Sequence, residues 1–183
     1  QFSEVPTTLA PGQQVPHMIQ VQCMRPFLQP AKYLVEYTSG GQRQKLPLML
    51  PAVMTKFVAP APVQMQQFRQ FFESLGGPPK EVVAIGKAKI PSDQWMNFLS
   101  KGLNMFVLPE SSPAASFAAG TLNTATPDPS QPGKMMTVPV LVRLEYDAGR
   151  QLVRLAVRTQ HGEVSSALAK IVETYLLIPG PPN

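Results

Sequence analysis

Apolar and polar positions alternate with a period of two over the first third of the chain. His17–Met24 (HMIQVQCM) and Lys32–Thr38 (KYLVEYT) therefore read as strands. The turn signal Ser39-Gly40-Gly41 follows, and Gln42–Val58 resumes as an extended segment. Pro47 and Pro51 within it argue for an edge or a bulge, because proline gives no N–H to a ladder. Residues 1–15 read as loop or linker. At Ala59-Pro60-Ala61-Pro62 the period changes. Val63–Leu75 has helical spacing, with Met65, Phe68, Phe72 and Leu75 on one side. Gly76-Gly77 stops that helix and Pro78-Pro79 forbids its continuation. Glu81–Lys89 reads as a strand. Ser92 is the expected N-cap of a second helix running to Ser100, with Gly102 as its stop. Leu103–Leu108 reads as a strand, Ser111–Ala119 is rich in small residues, and Thr121–Gly133 reads as a polar loop. Met135–Tyr146 and Gln151–Arg158 form an expected hairpin around Asp147–Arg150. Glu163–Leu177 is a closing amphipathic helix. An all-β start is thus followed by an α+β part, the pattern of an antiparallel sheet covered by helices.

The same pattern marks two binding candidates. On the first helix Met65, Phe68, Phe71, Phe72 and Leu75 span an arc of about 120°. A stripe that wide is either all core or leaves an aromatic edge exposed, and an exposed aromatic patch marks a binding site. On the last hairpin Val138, Val140, Val142 and Leu144 share a face, as do Val153, Leu155 and Val157. Bringing both sets to one core requires paired numbers with an odd sum. A two- or four-residue loop at Asp147–Arg150 does so and pairs Leu144 with Val153. Arg143 then stands opposite Arg154, with Arg158 further along. Like charges directly opposite are unfavourable, and an anionic ligand between them would relieve this. The competing arrangement is two arginines splayed into water beside Glu145. A three-residue loop with a bulge at Gly149 would break the register altogether.

Composition narrows the function classes. The 183 residues and 44% hydrophobic content suit a globular chain with a sizeable core. The 21 prolines are about twice the usual share and fall mostly between apolar runs. The net charge of +5 is scattered, which does not favour nucleic acid and fits an acidic protein or peptide as well. The single cysteine, Cys23, permits no intrachain disulfide and points to a reducing compartment. No transmembrane run or signal peptide is visible. The chain starts at Gln1 and is expected to be a piece of a longer polypeptide. No phosphate loop, nucleophile elbow, zinc-protease motif or paired-cysteine motif occurs. His17 and His161 lack a catalytic constellation, and the 11 acidic residues form no metal-like cluster. A non-catalytic chain without cofactor or metal is the expectation.

Gln42–Val58 (QRQKLPLMLPAVMTKFV), Gln67–Glu81 (QFRQFFESLGGPPKE), Lys87-Ala88-Lys89, Pro113–Thr121 (PAASFAAGT), Val142–Glu145 (VRLE) and Val153–Thr159 (VRLAVRT) together resemble the C-terminal appendage family of alpha-adaptins. These are large subunits of the plasma-membrane clathrin adaptor. The resemblance covers about residues 16–177 and rests on the collinear order of the segments. It implies a β-sandwich subdomain, here only its last strands at residues 1–58, followed by a mixed α/β platform at 59–183. It implies a non-enzymatic appendage that recruits accessory proteins through short Asp/Phe-containing motifs in endocytosis. It also implies other adaptor subunits bound through parts outside this chain, no nucleic acid, no membrane insertion, and a cytoplasmic place at coated pits. The family's peptide site falls by position on Phe68, Phe72, Glu81, Arg143 and Arg154. Phe72 stands where the family usually has tryptophan, and Arg69 where it has phenylalanine. The alternatives are an appendage of another coat, of beta-adaptin or COPI gamma type, or a structural appendage with a degenerate site. In the last case Phe72 is expected to be buried.

Overall fold

A computed structural model describes residues 6–29, 31–49 and 54–178. Strands β1 (Lys32–Ser39) and β2 (Gln42–Met49) pair antiparallel as a two-stranded sheet, Lys32 opposite Met49 and Ser39 opposite Gln42. Gly40 and Gly41 both take positive φ, 57° and 75°, as a tight hairpin turn of this hand requires. Pro47 stands within β2, while Pro51 lies outside the described residues. His17–Met24 is not a strand. It holds one isolated bridge, at Ile19. Alternation prepares a face for a ladder but does not supply the partner, and β1 and β2 are spent on each other.

The second sheet has the order β3-β6-β7-β8-β4-β9, with β5 also against β6. Its strands are β3 (Val58–Pro60), β4 (Glu81–Ala88), β5 (Phe106–Val107), β6 (Ala115–Pro127), β7 (Met135–Asp147), β8 (Leu152–Thr159) and β9 (Leu177–Ile178). β6 corrects the polar loop expected at Thr121–Gly133, since it continues through Thr121 to Pro127 with a register shift after Asn123. Its small residues allow close approach. A Cβ on Gly120 would lie 2.8 Å from Val58 Cγ1 and 3.1 Å from the Ala59 carbonyl. The strand expected at Leu103–Leu108 shrinks to β5, because Asn104 adopts a left-handed φ of 55°.

Three helical segments cover this sheet. Helix α1 (Met65–Ser74) and helix α3 (Gly162–Leu176) agree with the expected periods. Between them a 3₁₀ turn (Ser92–Gln94), helix α2 (Trp95–Asn97) and a π turn (Phe98–Gly102) run on continuously. Ser92 is not the N-cap: Pro91 precedes the turn and no side-chain cap bond forms. Trp95 and Leu99 of this segment and Leu103 just after it are fully buried. They join Val140, Val142, Leu144, Val153, Leu155, Val157 and the inner side of α3 in the main core on one face of the sheet. Phe68, Phe72 and Leu75 of α1 pack on the opposite face against Leu108, Ala119, Leu141 and Ala156. That face positions the candidate site.

Candidate functional site

On the α1 face the registers set up three cross-strand rows. Ala119, Leu141, Arg158 and Glu81 form the first, Phe117, Arg143, Ala156 and Val83 the second, and Ala115, Glu145, Arg154 and Ile85 the third. α1 packs on the first two rows. Val83 and Ile85 remain 42% and 62% exposed.

The aromatic stripe of α1 resolves residue by residue. Phe68 and Phe72 stack with ring centroids 5.4 Å apart, and Phe68 meets Phe117 edge-on at 5.6 Å. Both rings are buried, Phe72 at only 5% exposure. The exposed ring is Phe71, at 52%. Arg158 closes over Phe72, its guanidinium carbon 3.9 Å from the ring centroid, and Arg143 stands at 6.0 Å. Arg158 also donates to the Phe72 carbonyl and to Glu81 Oε1 at 2.8 Å. Gly76 makes room for it, since a Cβ there would meet Arg158 Nη1 at 3.3 Å. Glu81 Oε2 accepts the Gly77 N–H at 3.4 Å, which ties the end of α1 to the start of β4.

The hairpin register differs from the expected one. Asp147 pairs with Leu152 and Leu144 with Leu155, so the loop is Ala148–Gln151. Parity is kept and the pairing moves on by two residues. Arg143 therefore faces Ala156, and Arg154 faces Glu145. No arginine stands opposite another. Glu145 accepts from Arg143 Nη2 through one oxygen and from Arg154 Nη1, at 3.0 Å, through the other. The expected repulsion is absent because this carboxylate lies between the two cations.

The electrostatics follow from these contacts. Burial by itself would raise the Glu81 carboxyl, but the Arg158 hydrogen bond and charge, the Gly77 N–H and the Arg154 charge outweigh it and hold its pKa below the ordinary value. For Glu145, burial is likewise outweighed by the bonds and charges of Arg154 and Arg143. Both stay ionised at neutral pH. The Nε atoms of Arg143 and Arg158 are buried without a hydrogen-bond partner among the described residues.

Phe68, Phe72 and Arg143 thus come directly together. Glu81 joins through Arg158, and Arg154 through Glu145. Arg158 and Glu145, both placed on this face from the sequence, lie outside the expected set of site residues. The alternation Arg154, Ala156, Arg158 already puts Arg158 on this face, but only the fold brings it onto Phe72. Among the described residues no three His, Cys, Asp or Glu side chains are grouped to hold a metal ion, and no helix is long and apolar enough to cross a membrane.

Residues 56–176, which include all three rows and α1, match the family described as Alpha adaptin AP2, C-terminal domain. The chain belongs to this family. The α+β arrangement of antiparallel sheet and helices is that of an alpha-adaptin appendage. Among curated proteins the chain is similar to the AP-2 complex subunit alpha-2 of Dictyostelium discoideum, at 20% identity over 178 residues. That alignment takes in 96% of this chain and 18% of the relative's length.

Proposed function

We propose that this alpha-adaptin appendage is a non-catalytic recruiting module of a clathrin adaptor, binding accessory proteins that carry short Asp/Phe motifs. Its place is cytoplasmic and peripheral, at coated pits of the plasma membrane, with the other adaptor subunits held by parts outside this chain. Residues 59–183 are the platform and residues 1–58 the last strands of a sandwich. The site is Phe68, Phe72, Glu81, Arg143 and Arg154. The observation that carries this reading is the third row, where Arg154 and Glu145 stand next to exposed Ile85, with Arg143 and Val83 in the row beside it. A peptide carboxylate takes the arginines and its aromatic ring takes the aliphatic ledge. Phe72 then acts from beneath, as the ring on which Arg158 rests.

One observation favours a second reading. Phe72 is buried and its arginines are already paired, as a structural appendage with a degenerate site would have them. A calorimetric titration with Asp-Pro-Phe and Phe-x-Asp-x-Phe peptides separates the two. Micromolar to millimolar binding that Arg154→Ala weakens tenfold or more supports recruitment. Absence of binding, or binding indifferent to Arg143→Ala and Arg154→Ala, supports the structural reading.

A further inference from the structure

A strand edge borders this site: the outer edge of β4, whose Val83 and Ile85 also form the aliphatic ledge of the proposed peptide site. β4 is paired along its length with β8 on one side, but β9 meets it on the other side only at Lys87 and Ala88. The direction of its backbone groups is fixed at both ends. The Thr159 N–H donates to the Lys80 carbonyl at 3.3 Å, so the even-numbered residues bond towards β8. The Lys89 N–H donates to the Leu176 carbonyl at 2.7 Å, so the odd-numbered residues bond towards the outer edge. Antiparallel ladders alternate in this way without exception unless a bulge intervenes, and β4 has none. The N–H and C=O of Val83 and Ile85 therefore point outward, unpaired among the described residues.

The surroundings specify what fits. Val83 and Ile85 present exposed aliphatic side chains on one face. On the other, a groove of about 420 Å³ opens between Ala84 and Ile85 of β4, Lys170, Glu173 and Thr174 of α3, and the β9 residues. Lys89 and Lys170 line it, with the single carboxylate of Glu173 3.9 Å from Lys170 Nζ.

We propose that the outer edge of β4 at Val83–Ile85 accepts an extended acidic segment of a partner protein as an added antiparallel strand. Successive side chains of such a strand point to opposite faces. Residues paired with Val83 and Ile85 lie on the aliphatic face, and those between them enter the lysine groove. The recognised pattern is alternating apolar and acidic. Main-chain bonds supply affinity and the alternating pockets supply selectivity.

The test uses the full chain and a capped Val-Asp-Val-Asp-Val-Asp peptide. Bound as proposed, the peptide slows hydrogen exchange at the Val83 and Ile85 amides at least tenfold and leaves Ala84 unchanged. N-methylation of its valines abolishes this, because the valine amides carry the ladder. N-methylation of its aspartates does not. Lys170→Glu, on the exposed side of α3, weakens binding about tenfold, while Arg154→Ala, which weakens Asp/Phe peptides tenfold or more, changes this binding less than twofold, which separates the two modes of binding although both use Val83 and Ile85. The proposal falls if no binding occurs, if both methylated peptides behave alike, or if Val83 and Ile85 are already protected in a dimer of the free chain.

Discussion

At the scale of single residues, Arg158 links more of the site than any other side chain. It lies on Phe72, bonds the Phe72 carbonyl and pairs with Glu81. Truncating it leaves a mostly buried carboxylate with its main partner gone, and such losses cost more than the pair itself contributes. Arg158→Ala is expected to lower stability by about 1–3 kcal/mol in a urea titration. Arg154→Ala, whose partner Glu145 keeps Arg143, is expected to cost much less. The two carboxylates also set an acid limit. Their folded pKa values lie below the ordinary ones. Between the folded and unfolded values the unfolded chain binds more protons, so stability rises with pH there. Their contribution is fully present above the ordinary carboxylate range and is lost as pH falls through the lowered values. Urea midpoints measured from neutral to acid pH should fall over that window, and Glu81→Gln with Glu145→Gln should flatten the fall.

At the scale of elements, legibility stopped where alternation stopped deciding. The apolar sets of β7 and β8 had to face one core, which fixed the parity of their pairing. Alternation is blind to a shift of two, so the loop length decided the register. That shift exchanged Arg143's expected partner Arg154 for Ala156 and gave Arg154 to Glu145. The helical period of α1 placed Phe68 and Phe72 together, but could not say which ring of the stripe would stay outside. β6 was hidden for a different reason. Its alanines, glycine and threonines resemble a loop in isolation, and at Gly120 a small residue is required because Val58, the Ala59 carbonyl and Met105 crowd it. Gly120→Val is expected to destabilise by about 1–3 kcal/mol through overpacking against Val58, read from the thermal midpoint. A Gly120 that tolerated valine without loss would mean that β3 does not approach as closely as described.

At the scale of the whole molecule, the two sheets differ in how they are held. The seven-stranded sheet has its main core under α3 and the 92–102 segment, and a second cluster under α1. The β1–β2 hairpin leaves Leu34, Leu46, Leu48 and Met49 exposed, and β2 has no buried residue. A two-stranded hairpin without a buried apolar face is marginal in water. Its hydrogen bonds should open by local fluctuation, while those of β7 and β8 open only when the sheet unfolds. Native-state hydrogen exchange is therefore expected to give β1 and β2 amides protection at least a hundredfold below that of Val142, Leu144, Val153 and Leu155. Added denaturant should accelerate the β7–β8 amides steeply and the hairpin amides hardly at all, because local opening exposes little new surface. This contrast also tests the proposed division at residues 58 and 59. A hairpin whose amides share the protection and denaturant slope of β7 would belong to the same cooperative unit, and the division would have to be abandoned.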